Sequence, residues 1–259
     1  MQSESSTTSA DLADAITVQT YLRSRASGGP RVGPFWILFS PGDRGPFANY
    51  AIPEDGAEPT AAEIAALVAT FRGRKRRPRL EYAPAAAPAV EPALLAAGFA
   101  VEMRPPLMTR RPDIAVPAPE LKGFDLAFVD DAERLDQAAR VQTEAFGGDE
   151  PDAQWLARTV ARGGRVLVAY RRETGTAAGS GAFIPPIDGV TEVVGIAVRP
   201  DFRRRGLAQA ITAMLAQDAF AAGCVLVFLS AAGEAQSEIY ARAGFVRRSP
   251  MLFIAKPDD

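Results

Sequence analysis

The sequence contains no histidine and a single cysteine in 259 residues. Without imidazole, Ser-His-Asp and Cys-His catalysis are excluded, as are zinc, copper and haem sites that need a histidine ligand. One cysteine excludes a disulfide framework, a four-cysteine zinc site and an iron–sulfur cluster. We therefore expect no metal, and any chemistry must rely on carboxylates, tyrosine, hydroxyls and backbone amides.

The sequence also lacks a long apolar run and a large excess of one charge. No stretch reaches the ~20 apolar residues that a membrane span needs, and the first residues have neither the basic nor the apolar region of a signal peptide. The net charge of −2 argues against nucleic-acid binding by the chain as a whole. These features predict a cytoplasmic protein without membrane or nucleic-acid partners, either a monomer or a homodimer.

A proline-rich segment divides the sequence. Residues 105–120 contain five prolines in sixteen positions, which prevents helix continuation and favours an extended connection. The chain is long enough for two hydrophobic cores. We therefore predict two domains, 1–110 and 122–259, joined by a linker at 111–121.

The two halves share a short pattern. The segment LLAAGFAV at 94–101 aligns without gaps with YARAGFVR at 240–247, an offset of 146, and the same offset pairs 80–82 with 226–228. Each copy is typical of a strand, a short helix, a glycine at the helix end and a further strand. We interpret this as internal duplication, and chance similarity in an alanine-rich chain is the alternative.

Hydrophobic periodicity and turn signals predict the order ααβββαβαβ in the second half. This order is typical of a mixed α/β layered domain. In the first half, strands are expected at 35–40 and 80–82. The expected elements of the second half are helices at 131–146, 153–161, 206–222 and 234–243, with strands at 165–171, 180–185, 191–198, 225–229 and one or two within 245–255.

The stretch EVVGIAVRPDFRRRGLA at 192–208 carries the most chemical information. A strand ends in a Pro-Asp turn, a basic loop follows, and a helix opens at Gly206. The first amides of this helix lack intrahelical acceptors, and with the helix dipole they suit a pyrophosphate. Gly206 and Ala208 allow close approach to the backbone. Gly195 predicts a bulge, or a place where a ligand pairs with the strand edge.

This stretch resembles the GNAT N-acetyltransferase superfamily. The family's acetyl-CoA signature, Gln/Arg-x-x-Gly-x-Gly/Ala, reads here Arg203-Arg-Arg-Gly206-Leu-Ala208. The segment SEIYARAGF at 237–245 resembles the late Tyr-x-x-x-Gly-Phe element, and the resemblance covers about 125–255. The first half keeps Gly98-Phe99 but has no counterpart of the signature. The resemblance implies two GNAT-like mixed α/β domains in tandem, with a degenerate N-terminal half that does not bind CoA in the same way.

The implied activity is direct transfer of acetyl from acetyl-CoA to a primary amine of a small molecule, in a ternary complex. A protein acetyltransferase and a non-catalytic CoA-binding regulatory protein remain as alternatives. Ser230 is a second candidate for the pantetheine contact, which relatives often make through Asn. The implied acetyl-CoA site consists of Ile196, Ala197, Val198, Arg203, Arg204, Arg205, Gly206, Leu207, Ala208 and Ser237.

Two residues are candidates for catalysis. Tyr240 would act as the general acid that protonates the departing thiolate, and the alternative is a tyrosine that packs the last helix. Glu192 would act as the general base, and the alternative is a solvent-facing carboxylate at a strand end. Strand alternation is expected to place Glu192, Val194 and Ile196 on one face.

Each of three further features has a structural and a functional interpretation. The acidic loop with Glu144, Asp149, Glu150 and Asp152 would steer a cationic amine or simply be solvated. The basic run 72–79 is expected to be a solvated helix end, with nucleic-acid binding as the alternative. Cys224 precedes a buried strand and is expected to be an inert thiol.

Overall fold

The computed structural model describes residues 8–40, 48–114, 116, 121–148 and 150–257. They form two compact units, the first within 1–107 and 248–259 and the second within 108–247. Each unit consists of helices packed with one mixed sheet, so the expected mixed α/β class is confirmed. Within the described part of the chain, no helix has the length and apolar character needed to cross a membrane.

The first unit has a six-stranded sheet with the order β1-β2-β3-β4-β13-β5. Strands β3 and β4 are parallel, and β2 and β4 confirm the strands expected in the first half. The helices of this unit are α1 (Ser9–Arg25), α2 (Ala61–Gly73) and α3 (Val90–Ala96), and its strands are β1 (Arg31–Val32), β2 (Phe35–Phe39), β3 (Asn49–Pro53), β4 (Arg79–Tyr82), β5 (Ala100–Met103) and β13 (Leu252–Ala255).

The second unit has a seven-stranded sheet with the order β12-β6-β11-β10-β9-β8-β7. Strands β10 and β11 are parallel, and β7 to β10 form an antiparallel meander. The helices of this unit are α4 (Ala132–Phe146), α5 (Ala153–Ala161), α6 (Leu207–Ala221) and α7 (Glu234–Arg242), and its strands are β6 (Leu107–Arg110), β7 (Phe124–Val129), β8 (Arg165–Arg171), β9 (Ala177–Phe183), β10 (Val190–Val198), β11 (Leu226–Ser230) and β12 (Val246–Arg247).

The centre of the second unit depends on small residues in β9. A Cβ atom at Gly181 would lie 2.5 Å from Cδ1 of Ile196 and 2.9 Å from Cγ2 of Ile211. Glycine at this position therefore lets the apolar face of α6 pack directly on the sheet. The sequence pattern placed this strand at 180–185, about three residues too late, because Ala-Ala-Gly-Ser-Gly is not typical of a strand interior.

Most elements of the second half lie close to where the sequence predicts them. The helix expected at 153–161 and the strand expected at 165–171 coincide with α5 and β8. The predicted order omits β7, which precedes α4 and pairs with β8 along its whole length. It also omits β6, which lies in the proline-rich segment, and the predicted linker at 111–121 falls partly outside the described residues.

Two strands are exchanged between the halves of the chain. Strand β13 comes last in the sequence but lies between β4 and β5 of the first unit, and β6 lies between β11 and β12 of the second. The two exchanged strands pair in equivalent register. Ala255 pairs with Ala100, and the residues that the offset of 146 matches with these two, Thr109 and Val246, also pair with each other. Residues 248–259 therefore group with the first unit, which differs from the expected division at 122–259.

We expect the exchanged strand to stabilise the first unit. Ile254 is 0% exposed between β4 and β5, so Ile254→Ala should lower the free energy of unfolding by about 2–5 kcal/mol through lost burial and a cavity. The two tryptophans fall one in each unit, at 36 and 155. Urea unfolding followed by fluorescence in a Trp155→Phe background would therefore report on the first unit. Leu95→Ala, at a 46% exposed position of α3, is the control, and equal losses would contradict the prediction.

Candidate functional site

Strand β10 contains a bulge at its centre. Val194 pairs with Ala182 of β9 and Ala197 pairs with Ser180, so three steps along β10 match two along β9. Gly195 adopts a φ of +63°, which favours glycine. A Cβ atom at this position would lie 2.8 Å from Nε2 of Gln142 in α4. The bulge expected from Gly195 is therefore present, and a larger residue at this position would require the end of the Gln142 side chain to move.

The bulge reverses which face of the sheet the following side chains occupy. Val193 packs in the core cluster of α6 and Val194 in that of α4, as simple alternation requires. Beyond Gly195, Ile196 packs with the α6 cluster and Ala197 with the α4 cluster. The expected common face of Glu192, Val194 and Ile196 is therefore wrong, because one inserted residue shifts the alternation by one.

Strands β10 and β11 separate beyond their first paired residues. The parallel register runs from Val190 with Leu226 to Glu192 with Phe228. The rest of β10 and the end of β11 then line an open cavity of about 810 Å³, a size typical of small-molecule sites. The predicted site residues that line it are Glu192, Ile196, Ala197, Val198, Arg203, Arg204, Gly206, Leu207, Ala208, Ser230 and Tyr240.

The basic loop and the start of α6 form one end of this cavity. Arg204 and Gly206 have positive φ values of 61° and 79°, and no side chain caps the helix. The first intrahelical bond of α6 runs from the Ala210 amide to the Gly206 carbonyl, so the preceding amides have no acceptor within the helix. Nε of Arg203 donates to the Val198 carbonyl at 3.1 Å, which ties the loop to the end of β10.

The arginines at this end have no ion-pair partner among the described residues. Arg203, Arg204 and Arg242 line the cavity, and none of them forms an ion pair with a described residue. Free helix amides and the positive end of the helix dipole lie in the same place. This arrangement has the properties of an anion site, and specifically of one that suits adjacent phosphates.

Two predicted binding residues do not line the cavity. Ser237 is buried and its hydroxyl donates to the Gly233 carbonyl at 3.0 Å, within α7. Arg205 lies instead in a second, smaller depression with Lys122, and its guanidinium lies 6.0 Å from the ring of Phe124. The loop turns at Arg204, so neighbouring arginines of the signature face different surfaces.

Sequence reasoning missed several residues that line the cavity. Gln236 lies one position before Ser237 and contributes a side-chain amide. Gln209 Nε2 donates to the Arg242 carbonyl at 3.1 Å, which holds the first turn of α6 against the end of α7. Phe146 enters from the end of α4. The polar residues belong to no distinguishing motif, and the sequence gives no signal that the phenylalanine at the end of this helix is exposed.

Tyr240 lines the cavity from α7, partly buried against the core cluster of α6. Burial raises the pKa of its hydroxyl to about 12, so the group stays protonated over the whole neutral range. The described residues offer this hydroxyl no hydrogen-bond partner. The Tyr240 side chain packs on the core and also borders the cavity, so the packing alternative is observed and the general-acid role stays a prediction.

The acidic loop is largely engaged in structure. Glu144 forms an ion pair of 2.9 Å with Arg199, and Asp152 caps α5 by accepting from the Trp155 amide at 2.7 Å. Asp149 lies outside the described residues, and Glu150 is exposed. These contacts favour the interpretation of this loop as structural and solvated.

The start of α2 in the first unit is built differently from the start of α6. The offset of 146 matches Gly206 with Thr60 and Gln209 with Glu63. The Thr60 hydroxyl accepts from the Glu63 amide, and a Glu63 oxygen accepts from the Thr60 amide at 2.8 Å. These bonds from Thr60 lower the pKa of Glu63, so an ionised carboxylate occupies the helix N-terminus, where a phosphate would be repelled.

The divergence between the parallel strands is also filled in the first unit. Gln19 is 0% exposed, and its amide donates to the Pro53 carbonyl at 3.2 Å and accepts from the Ala83 amide at 3.1 Å. Its side chain thus bridges the ends of β3 and β4. In the first unit, the β3 residue that pairs with β4 is residue 51, nine positions before the helix cap at 60. In the second unit, the first β10 residue that pairs with β11 is residue 190, sixteen positions before the cap at 206. The shorter connection of the first unit lacks room for a bulge and a basic loop.

The ends of α3 and α7 support the internal duplication. The Phe99 amide donates to the Leu94 carbonyl and the Phe245 amide to the Tyr240 carbonyl, each at 3.0 Å. Both bonds span a glycine of positive φ, Gly98 in the first unit and Gly244 in the second. The same chain reversal occurs at both positions, as the offset of 146 predicts.

The basic run and the cysteine have structural surroundings. Arg79 is buried, pairs with Glu81 and Glu102 and lies over a phenylalanine ring, while Arg77 also pairs with Glu102. Helix α2 ends at Gly73, within the run, so the run begins at a helix end as expected, but Arg79 is buried rather than solvated. Burial raises the pKa of the Cys224 thiol, which lowers its reactivity. The described residues contain no group of three or more potential metal ligands.

Comparison with known proteins gives the class of the second unit. Residues 132–245 match the model of the Acetyltransferase (GNAT) family. The chain is similar to a GCN5-related N-acetyltransferase from Kribbella flavida, with 25% identity, coverage of 95% of this chain and 96% of that chain, and a TM-score of 0.80. A GCN5-related N-acetyltransferase from Sphaerobacter thermophilus has 16% identity, coverage of 96% and 95%, and a TM-score of 0.61.

A further similar structure is a tandem GNAT protein from the clavulanic acid biosynthesis pathway. It has 16% identity, covers 95% of this chain and 97% of that chain, and has a TM-score of 0.57. No curated protein matches the chain. The chain therefore has the GNAT fold, and its segment 132–245 matches the acetyltransferase family itself.

We expect the bulge to tolerate only glycine at 195. In Gly195→Ala the new methyl group would combine a strained φ with the contact to Gln142, and should cost about 1–3 kcal/mol of the free energy of unfolding. Gly175→Ala is the matched control, because Gly175 has a φ of +68° and nothing within 4 Å. Urea unfolding in a Trp36→Phe background, which leaves the second unit's tryptophan, would measure both. A loss no larger than that of the control would show that Gln142 yields freely.

Proposed function

We propose that the second unit transfers an acetyl group from acetyl-CoA to a primary amine in a ternary complex. One observation carries the proposal: a single cavity joins an uncapped, arginine-flanked helix N-terminus to the open edge of a bulged strand and to the side chains of Tyr240 and Glu192. Phosphate binding, an exposed backbone edge and acid–base groups are the features that this reaction requires.

The pyrophosphate of acetyl-CoA would bind at the arginine end. The amides of Leu207 and Ala208 would donate to it, and Arg203 and Arg204 would supply charge. The pantetheine arm would then extend along β10 and pair with backbone groups of Ile196, Ala197 and Val198, as a strand would. On the opposite side, Gln236 and Ser230 are better candidates for the amide contact than Ser237, because they line the cavity.

The reaction would proceed by direct attack. Glu192 takes a proton from the ammonium, directly or through water, and releases it to solvent. The amine nitrogen forms a bond to the thioester carbon, and a backbone amide of the bulge stabilises the oxyanion. The C–S bond then breaks, and Tyr240 gives its proton to the sulfur. The nitrogen loses a second proton, which restores Tyr240 through solvent, so the products are the amide, CoA thiol and one proton.

The raised pKa of Tyr240 refines its role. At about 12 it lies above that of a thiol, so the neutral hydroxyl does not ionise ahead of the reaction. It donates a hydrogen bond to the sulfur and transfers the proton as the C–S bond breaks. A hydroxyl of this kind stays in the active protonation state far above neutral pH.

We also propose that the chain is a tandem of two GNAT-like domains in which the first no longer binds acetyl-CoA. The equivalent ends of α3 and α7 and the equivalent register of the exchanged strands support a common origin. The capping box of Thr60 and Glu63 and the buried bridge of Gln19 occupy the two places where CoA would bind.

The phosphate site predicts the effect of Gly206→Glu. The change adds bulk and negative charge at the helix N-terminus, so it should weaken acetyl-CoA binding by roughly 100-fold or more, as measured by calorimetry. Gly223→Glu is the control, because Gly223 also has positive φ and open space but follows the far end of α6. We expect one site per chain in the wild type. Unchanged affinity would contradict the proposal, and a remaining site of full affinity would show that the first unit also binds.

Tyr240→Phe should lower kcat by about 100-fold while changing the acetyl-CoA Kd less than about threefold. Because the wild-type pKa is about 12, kcat should not fall between pH 7 and 10, since the hydroxyl is protonated throughout. Thiol release would measure both effects. Tyr170→Phe is the control, because the Tyr170 hydroxyl is buried in the α4 cluster and does not line the cavity. Wild-type turnover by Tyr240→Phe would remove it as the acid.

A further inference from the structure

The side chain of Gln142 lies against the face of the β10 bulge that is turned towards α4. A Cβ atom built on Gly195 would lie 2.8 Å from Nε2, 3.0 Å from Cδ and 3.2 Å from Oε1 of Gln142. Because these three distances are similar, the plane of the Gln142 amide faces Gly195 and occupies the space that a side chain would take. Gly195 lines the cavity and Gln142 does not. The Gln142 side chain therefore supports the bulge from the side opposite the ligand.

A hydrogen bond holds the Gln142 amide in place. Its Nε2 donates to Oγ of Ser180 at 3.2 Å, and Ser180 is 0% exposed in β9. Ser180 pairs with Ala197, the residue at which β10 and β9 resume their pairing after the bulge. One side chain of α4 thus contacts both strands at the bulge, β10 through Gly195 and β9 through Ser180.

This hydrogen bond lies among apolar residues. Val141, Ala182 and Ala197, the neighbours of Gln142 and Ser180 along or across the strands and helix, belong to the α4 cluster. Apolar groups of the same shape stabilise such a contact about as well as a hydrogen-bonded pair does, so burial alone does not account for the pair. A hydrogen bond differs from an apolar contact in its direction. The pair therefore fixes where the Gln142 amide lies and restricts the backbone of Gly195 next to it.

We propose that Gln142, held by Ser180, positions the backbone of the bulge for the chemical step. This inference rests on the proposed acetyl transfer, in which a backbone amide of the bulge stabilises the oxyanion. Such a donor acts only at a defined distance from the oxygen, so a small displacement of the bulge weakens transition-state stabilisation. The pyrophosphate is proposed to bind to α6 and the basic loop instead. Gln142 therefore influences kcat and has little influence on the affinity for acetyl-CoA.

The test replaces the two partners singly and together, in Gln142→Leu, Ser180→Ala and the double variant. The acceptor is the fastest one among 2-phenylethylamine, spermine, kanamycin and a peptide with one internal lysine. Each single variant should lower kcat, measured by thiol release, by about 10- to 100-fold, while calorimetry should give an acetyl-CoA Kd within about twofold of the wild type. Because the two residues act as a unit, the double variant should lose no more than the larger single loss. Wild-type kcat in Gln142→Leu, or losses that multiply in the double variant, would overturn the inference.

Gln137→Leu is the matched control. Gln137 belongs to the same helix, does not line the cavity and lies more than one helical turn before Gln142. Its buried Oε1 has no hydrogen-bond partner among the described residues, so kcat should stay within about twofold of the wild type. Urea unfolding of all variants in a Trp36→Phe background measures the stability of the second unit. If kcat fell only in proportion to this stability, in the control as in the other variants, the positioning role would be wrong.

Hydrogen–deuterium exchange separates this inference from the proposed function. Without any ligand, the backbone amides of residues 193–198 should exchange about tenfold faster in Gln142→Leu than in the wild type, because the bulge is then free to move. Gln137→Leu should leave this exchange unchanged. Equal exchange in Gln142→Leu and the wild type would remove the positioning role, whatever the turnover. Faster exchange in Gln142→Leu, with no acetyl transfer by the wild type, would remove the proposed function and keep Gln142 as the residue that holds the bulge.

Discussion

One inserted residue in β10 determines the geometry of the second unit. Gly195 accepts a left-handed backbone conformation that disfavours other residues and lies close to the Gln142 side chain, and the insertion turns Ile196 towards α6 and Ala197 towards α4. The pairing of β10 with β11 ends at Glu192, shortly before the bulge, and the cavity lies where the two strands separate. Ile196 can occupy its position because β9 has glycine opposite it. The strand edge proposed to bind pantetheine therefore exists because of packing on both sides of the sheet.

The two helix N-termini show how one position serves two purposes. In α2 the Thr60 hydroxyl caps the Glu63 amide, and the carboxylate of Glu63 occupies the positive end of the dipole. In α6 a glycine stands at the cap position and Gln209 at that of the carboxylate, and arginines precede the helix, so the electrostatic field is left for a ligand. A protein can thus gain or lose phosphate affinity at a helix end by changing the cap, without altering the helix itself.

The sequence predicted those parts of the structure that depend on local pattern. Helices α4 to α7 and strand β8 follow from periodicity and from turn residues, and the cavity-lining stretch 196–208 follows from the glycine and arginine signature. Strand β6 was missed because prolines surround it and its partners are distant in sequence. The orientations of Ile196 and Arg205 could not be predicted from the pattern, because a bulge and a left-handed residue at 204 decide them. Ser237 lies in α7, where its hydroxyl donates to the Gly233 carbonyl instead of facing the cavity. Phe146 gains meaning only from its exposure at the cavity.

The exchanged strands affect how the chain can fold during its synthesis on the ribosome. In the folded chain the place between β4 and β5 is filled by residues 252–255, which are made about 150 residues after β5 itself. Until then the first unit exposes two unpaired strand edges, which are sites for aggregation or for pairing with another chain. The first half therefore cannot complete its sheet during its own synthesis. Its folding must wait for, and be coupled to, the synthesis of the half that carries the proposed active site.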